Sequence, residues 1–345
     1  LDFFYGNISA QISHIGQSML WLYPELLLAA LIPLMLLSGL LVSAQQQKIL
    51  APGILFAGIV GSMYLVYDQS LYLSGSIQRS WFLNMITLDG ASVLFRLLAG
   101  LSGLFAILTA WASPPDKGWK TEFWVFLGTA LLGMYLLAIS SNLLMVYLSL
   151  ETISISSYLM TGYMRRESRS AEAGIKYFVY GSVATATFLY GASLLYGISG
   201  TLDFTSLQFI SALAEQDSAW VWLAFLMVWS ALAFKLAAFP FHFWNPDVYE
   251  GAPAAVAGFF ATGPKITALA VVMRIVLPFD HATVPIEPLY LLALTALITM
   301  FAGNTAALTQ FNLHRLLAWS GIAHTGYLLA AVACTTIDAK VALVW

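Results

Sequence analysis

Ser230-Ala-Leu-Ala-Phe-Lys-Leu-Ala-Ala-Phe-Pro240 places one charge and one helix breaker inside a largely apolar run that covers 221–241. A lysine at that depth in lipid costs about 3 kcal/mol or more unless it is paired or hydrated. Proline breaks the helix beside it. Broken helices at membrane depth are tolerated where they line a wet cavity or are buried in protein. Lys235 next to Pro240 therefore marks a candidate ion path, and the rest of the chain has to supply a partner.

The composition supports a membrane setting. Of 345 residues, 60% are hydrophobic and only 9% charged, against roughly 25% charged in soluble domains. This is the composition of a polytopic membrane protein. A net charge of −3 leaves no basic patch and argues against nucleic acid. The one cysteine, Cys334, excludes an internal disulfide and any multi-thiolate metal site. Eleven Trp and sixteen Tyr suit the aromatic belts of membrane interfaces. The chain begins with Leu and stops inside an apolar run that starts at Val341, too short for a span of ~20 residues. This predicts a truncated piece of a longer protein. The first twenty residues lack the basic region of a cleaved signal peptide.

Apolar stretches of about twenty residues predict ten spans, near 22–42, 49–67, 91–112, 123–140, 142–163, 174–197, 219–239, 253–276, 288–310 and 314–334. With ten crossings, Lys48, Lys117, Lys120, Arg165, Arg166, Arg169 and Arg315 fall on one side. Arg79, Arg274 and Lys340 fall on the other, together with the acidic connection holding Asp203, Glu215 and Asp217. The positive-inside rule then places the N-terminus on the non-cytoplasmic side.

Few charges lie inside the spans. Glu151 sits near the middle of the fifth, among Ser149, Thr152, Ser154, Ser156 and Ser157, hydroxyls that can hold water or bond the helix backbone. Lys235 lies in the seventh, Lys265 near the middle of the eighth, Lys176 at the start of the sixth, and Arg96 one turn inside the third. Intramembrane ionisable residues mark transport paths by default; the plainer reading is an ion pair that glues helices. Burial favours release of an ammonium proton and a nearby carboxylate favours its retention, so lysine makes a usable carrier. Glu151 and Lys235 form the natural pair and Lys265 the next acceptor; a structural role for Lys265, bonding freed carbonyls, stays open. Arg96 and Arg274 read as structural or interfacial, because long side chains snorkel and arginine does not give up its proton. Of His14, His242, His281, His314 and His324, only His324 lies well inside a span. That argues against a haem held by paired histidines. His324 is either a satisfied core residue or a relay member. No phosphate loop, zinc motif or nucleophile elbow is present.

The segment Phe239-Pro-Phe-His-Phe-Trp-Asn-Pro-Asp-Val-Tyr-Glu-Gly-Ala-Pro253 resembles the antiporter-like subunits of respiratory complex I, and within them the subunit N branch. Glu172-Ala-Gly-Ile-Lys-Tyr-Phe178, Leu189-Tyr-Gly-Ala-Ser-Leu-Leu-Tyr-Gly197 and Arg315-Leu-Leu-Ala-Trp-Ser-Gly-Ile-Ala-His-Thr-Gly-Tyr327 support it. The resemblance implies an all-α polytopic transmembrane helix bundle of the antiporter-like type, with inverted five-helix repeats and a broken helix in each. Residues 1–122 would form an N-terminal three-helix region, 123–276 the first repeat with the proton site, and 288–345 the start of a second, incomplete repeat. Aligning Tyr158-Leu159 with Tyr327-Leu328 brings Glu151 onto Ser320, a faint trace of such a repeat.

By the same resemblance Glu151, Lys235 and Lys265 are the proton-translocation residues; His324 joins them as a candidate relay from its place inside a span, and Pro240 is the expected helix break. The implied function is a proton-translocating membrane-arm subunit of NADH–quinone oxidoreductase, an enzyme subunit with no redox chemistry of its own. NADH, FMN, iron–sulfur clusters and quinone would belong to partner subunits. The implied partners are other membrane-arm subunits, the lipid bilayer, protons and water. The implied location is the bacterial plasma (inner) membrane. The rival readings are a subunit of a multisubunit cation/proton antiporter and a purely structural membrane subunit.

Overall fold

The computed structural model describes residues 16, 18–19, 21–73, 79–82, 84–115, 118–276 and 288–334. Lys117, Lys340, His14, His281 and the apolar run from Val341 lie outside these residues. In chain order the elements are α1 (Tyr23–Leu41), α2 (Ala44–Tyr72), β1 (Arg79–Trp81), β2 (Ile86–Leu88), α3 (Gly90–Ala112), α4 (Thr121–Ile139), α5 (Leu143–Thr161), α6 (Ser168–Ser199), α7 (Leu207–Ala214), α8 (Ser218–Leu236), α9 (Trp244–Gly251), α10 (Ala254–Val276), α11 (Pro288–Ala307) and α12 (Leu313–Ala333). All but α7 and α9 are long and apolar enough to cross a membrane, which gives the ten spans expected from hydropathy.

Two spans run further than their apolar windows. The sequence predicts 49–67 and 174–197, whereas α2 covers 44–72 and α6 covers 168–199. A hydropathy window sees only the part that sits in hydrocarbon. Polar turns continue the helix where local bonds support them. At the start of α2 the Ser43 hydroxyl donates to Gln46 Oε1 at 2.8 Å and the Ser43 backbone N–H at 3.4 Å, one half of a capping box. Lys48, expected in a connection, therefore lies in the helix. Side-chain caps also start α3 (Asp89, accepting from Ser92 N at 2.7 Å), α5 (Asn142), α8 (Asp217) and α12 (Asn312).

Among the described residues the bundle is all-helical apart from one short antiparallel hairpin, β1 with β2, in register Arg79↔Leu88, Ser80↔Thr87 and Trp81↔Ile86. It occupies the connection between the second and third spans, where hydropathy alone predicts no element. One apolar core runs from Leu28 in α1 to Val332 in α12. The first three helices are part of it: α1 packs on α4, and α3 packs on α10. Helix α10 also touches α5, α8 and α12, so it stands at the centre of the arrangement. At the α11–α12 contact a Cβ on Gly303 would lie 2.5 Å from the backbone N of Ala323. Small residues permit that close approach.

Arg96 does not snorkel. It is fully buried, and its guanidinium meets Glu25 Oε1 of α1 at 3.2 Å and Gln69 Oε1 of α2 at 3.0 Å, while Nε donates to Ser92 O at 3.1 Å. The reason is geometric: α1, α2 and α3 pack together, and their polar side chains supply an internal partner that a solvent-seeking arginine would otherwise lack. Arg274, in the last turn of α10, does not snorkel either: it is buried and bridges to Asp89 at 2.6 Å, so both arginines are structural through internal pairs.

Candidate functional site

Lys235 is in the last turn of α8, and the helix ends one residue later. Pro240 is not where it stops. Ala237 takes a left-handed conformation (φ 57°, ψ 39°), and Ala238 N donates back to Ala233 O at 2.8 Å. This is a helix-terminating turn that glycine usually supplies. Pro240 follows three residues later, on the exposed side of the turn leading to α9.

The groups freed by the break find partners inside the protein, as membrane depth requires. Phe234 O accepts from Trp244 Nε1 at 3.0 Å. Leu236 O accepts from the Thr325 hydroxyl of α12 at 2.9 Å. Phe239 N donates to Thr299 Oγ1 of α11 at 3.0 Å, and Asn245 Nδ2 donates to Ala318 O at 3.1 Å. The break is thus anchored on α11 and α12.

Lys235 is 2% exposed. Its Nζ donates to Ser154 Oγ at 3.0 Å and lies 5.8 Å from the Tyr177 ring centroid, within cation–π range. Tyr177 is stacked on Trp244 at 4.4 Å and 7°, so the first residue of α9 holds the ring that faces the ammonium. Glu151 makes no ion pair with Lys235 in this structure. Its side chain is half-buried, one turn from Ser154 on α5. Ser149, Thr152, Ser156 and Ser157 bond carbonyls four residues back in α5; Ser154 is the hydroxyl turned to the lysine.

Lys265, 4% exposed at the centre of α10, donates to Gly321 O at 3.2 Å and to Thr325 Oγ1 at 3.5 Å. The two lysines do not touch. They are joined through Thr325, which bonds both Lys265 and the carbonyl next to Lys235. His324 is exposed, with its ring 5.7 Å from that of Tyr327. One residue further along, about 100° around the helix, Thr325 is the buried neighbour.

Sequence reasoning missed a clamp on α9. Asp247 bonds Lys176 of α6 at 2.9 Å and Arg315 of α12 at 2.8 Å. Glu250 bonds Arg315 at 3.0 Å, Asn312 at 3.2 Å and Arg169 at 3.4 Å. The signal was present as two acids three residues apart, in a short polar segment on the basic side. Burial opposes ionisation of Asp247, but hydrogen bonds from Lys176 and Arg315 outweigh it and hold the carboxyl below its usual range. A depressed carboxyl contributes stability above its unfolded pKa of about 3.9, and loses it as pH falls through the folded value. Arg315→Gln should destabilise the full-length protein at neutral pH by about 1 kcal/mol, since the pairs are partly solvated. In thermal unfolding, the gap from wild type should close below about pH 4.

Among the described residues, no three His, Cys, Asp or Glu side chains gather as a metal-ligating set, and the thiol of Cys334 is exposed.

Comparison with known proteins gives a consistent picture. The family model described as NADH:quinone oxidoreductase/Mrp antiporter, transmembrane, matches residues 140–344. The chain is 39% identical over 313 residues to NAD(P)H-quinone oxidoreductase subunit 2 of Prochlorococcus marinus, covering 90% of this chain and 59% of that one. It is 34% identical over 336 residues to NADH-quinone oxidoreductase subunit N of Chlorobium chlorochromatii, covering 94% and 64%. A chain of respiratory complex I from Thermus thermophilus, solved with bound aureothin, superposes with a TM-score of 0.73 at 32% identity, over 90% of this chain and 64% of that one. The chain thus spans about three-fifths of the length of these curated relatives.

Proposed function

The chain belongs to the NADH:quinone oxidoreductase/Mrp antiporter transmembrane family, and from that membership we propose that it works as a proton-translocating membrane-arm subunit of an NADH–quinone oxidoreductase. The observation that carries the reading is Lys235: a buried ammonium at the open end of a broken helix, bonded to a hydroxyl one turn from Glu151. In this reading water reaches Lys235 through the break. Glu151 steadies its charge until a change elsewhere in the complex moves the carboxylate, and the proton passes toward Lys265 and on past α12, which carries His324. Electron transfer through NADH, FMN, iron–sulfur clusters and quinone takes place in partner subunits. The setting is a bacterial inner membrane with the N-terminus on the non-cytoplasmic side.

The test uses the full-length complex in sealed vesicles. Glu151→Gln combined with Lys235→Met removes both charges, so neither is left buried and unpaired. NADH-driven proton translocation should be lost while the complex assembles. A purely structural role for the two residues predicts the reverse, failed assembly and normal pumping by whatever complex forms. Transport that requires sodium and persists without electron transfer would favour the cation/proton antiporter instead.

A further inference from the structure

We propose that Thr325 is a positioning residue for this proton path: a hydroxyl whose choice of acceptor couples the charge on Lys265 to the open end of helix α8. The inference rests on the reading of Lys235 and Lys265 as proton sites.

A threonine hydroxyl has one hydrogen to give, and Thr325 has two acceptors in reach. Leu236 O lies at 2.9 Å, and Gly321 O, four residues back in α12, at 3.0 Å. These acceptors belong to different parts of the machine. Leu236 is the last residue of α8 and the immediate neighbour of Lys235, and its carbonyl is one of the groups orphaned by the break. Gly321 O is the carbonyl to which Lys265 donates at 3.2 Å.

The competition at Gly321 O decides where the hydrogen goes. A carbonyl oxygen has two lone pairs. In an α-helix one of them takes the N–H four residues on, which is that of Thr325 itself. A charged Lys265 takes the other. The Thr325 hydrogen is then directed to Leu236 O, and the Thr325 oxygen turns a lone pair toward the Lys265 ammonium, 3.5 Å away. When Lys265 gives up its proton, it becomes a weaker donor and its hold on Gly321 O relaxes. The hydroxyl can swing to Gly321 O, and Leu236 O loses its partner. An unpaired carbonyl at that depth is costly, so the end of α8, with Lys235 attached, is released to seek water. The proton state of the second lysine is thereby reported to the first without any contact between them. Thr325 is 1% exposed, so no bulk water substitutes for its hydroxyl.

The experiment compares Thr325→Val, Thr325→Ala and Thr325→Ser in the full-length complex, with protons translocated per NADH oxidised measured in vesicles and normalised to assembled complex. The ratio should fall on the order of two- to tenfold for Val and Ala, the effect of losing one hydrogen bond, and return to the wild-type value for Ser. A wild-type ratio in T325V overturns the proposal. So does an assembled T325S as defective as T325V. If neither Val nor Ala assembles while Ser does, the hydroxyl is a folding bond and the proposal is wrong. Lys235→Met in the same series separates the two levels. Normal pumping by K235M removes the proton-path reading itself; lost pumping by K235M beside normal pumping by T325V removes only the role of Thr325.

Discussion

Lys235→Met in the full-length complex should reduce proton translocation through this chain by ~100-fold or more, the scale for removing a positioned proton-transfer group, and leave assembly intact. Methionine fills the volume of the lysine stem and adds no charge. What it lacks is a proton to release. Ser154 would lose its donor, but a serine in α5 can turn to a carbonyl four residues back, as Ser149 and Ser157 already do. Lys235→Arg should be nearly as damaging for a different reason. Its guanidinium keeps the charge, the hydrogen-bonding capacity and the cation–π contact with Tyr177, yet it does not deprotonate in a protein. Charge alone predicts that arginine is tolerated; proton release predicts that it is not.

The second large effect concerns stability. Arg96→Met should destabilise the protein by ~3–5 kcal/mol, the usual cost of breaking a buried ion pair from one side. Glu25 is 2% exposed and Arg96 wholly enclosed, so removing the guanidinium strands a carboxylate in an apolar core. Gln69 would also lose the donor at its Oε1. Replacing both partners, Glu25→Leu with Arg96→Met, should recover most of the loss, because a buried pair costs desolvation that an apolar pair does not. Thermal unfolding of the purified full-length protein measures both. A single variant as stable as wild type would show that the pair contributes nothing, and a double variant no better than the single would show that the cost lies in packing.

The spans were legible because lipid demands long apolar runs, and no other feature of a sequence mimics ten of them. Lys235 and Lys265 were legible as charges where none belongs. The partner of Lys235 was not. Five hydroxyls surround Glu151, and sequence alone does not say which of them faces α8; the packed bundle selects Ser154. The break itself was visible only through Pro240, whereas the helix ends at Leu236 and is capped by Ala237, an alanine in a left-handed turn. Nothing in an alanine announces that conformation, which tertiary bonds to Thr299, Thr325 and Ala318 hold in place. Glu25 escaped notice because an acid in the first turn of a span looks like an ordinary helix end. Its burial depends on α2 and α3 closing over it.

These particulars change the picture of how the site is held. The pairing expected between Glu151 and Lys235 gives way to a hydroxyl contact, with the carboxylate at longer range. The acids of α9 fasten the far side of the break to α6 and α12 through Lys176 and Arg315. The lysine therefore sits at a joint anchored on both sides, where a small change in one anchor alters what the ammonium faces.

The most direct test is the number of protons translocated per NADH oxidised by vesicles carrying the Lys235→Arg complex, set against wild type at equal amounts of assembled enzyme. A ratio well below wild type, with assembly unchanged, is the predicted result. A wild-type ratio would mean that position 235 needs only a fixed positive charge, and that no proton passes through it.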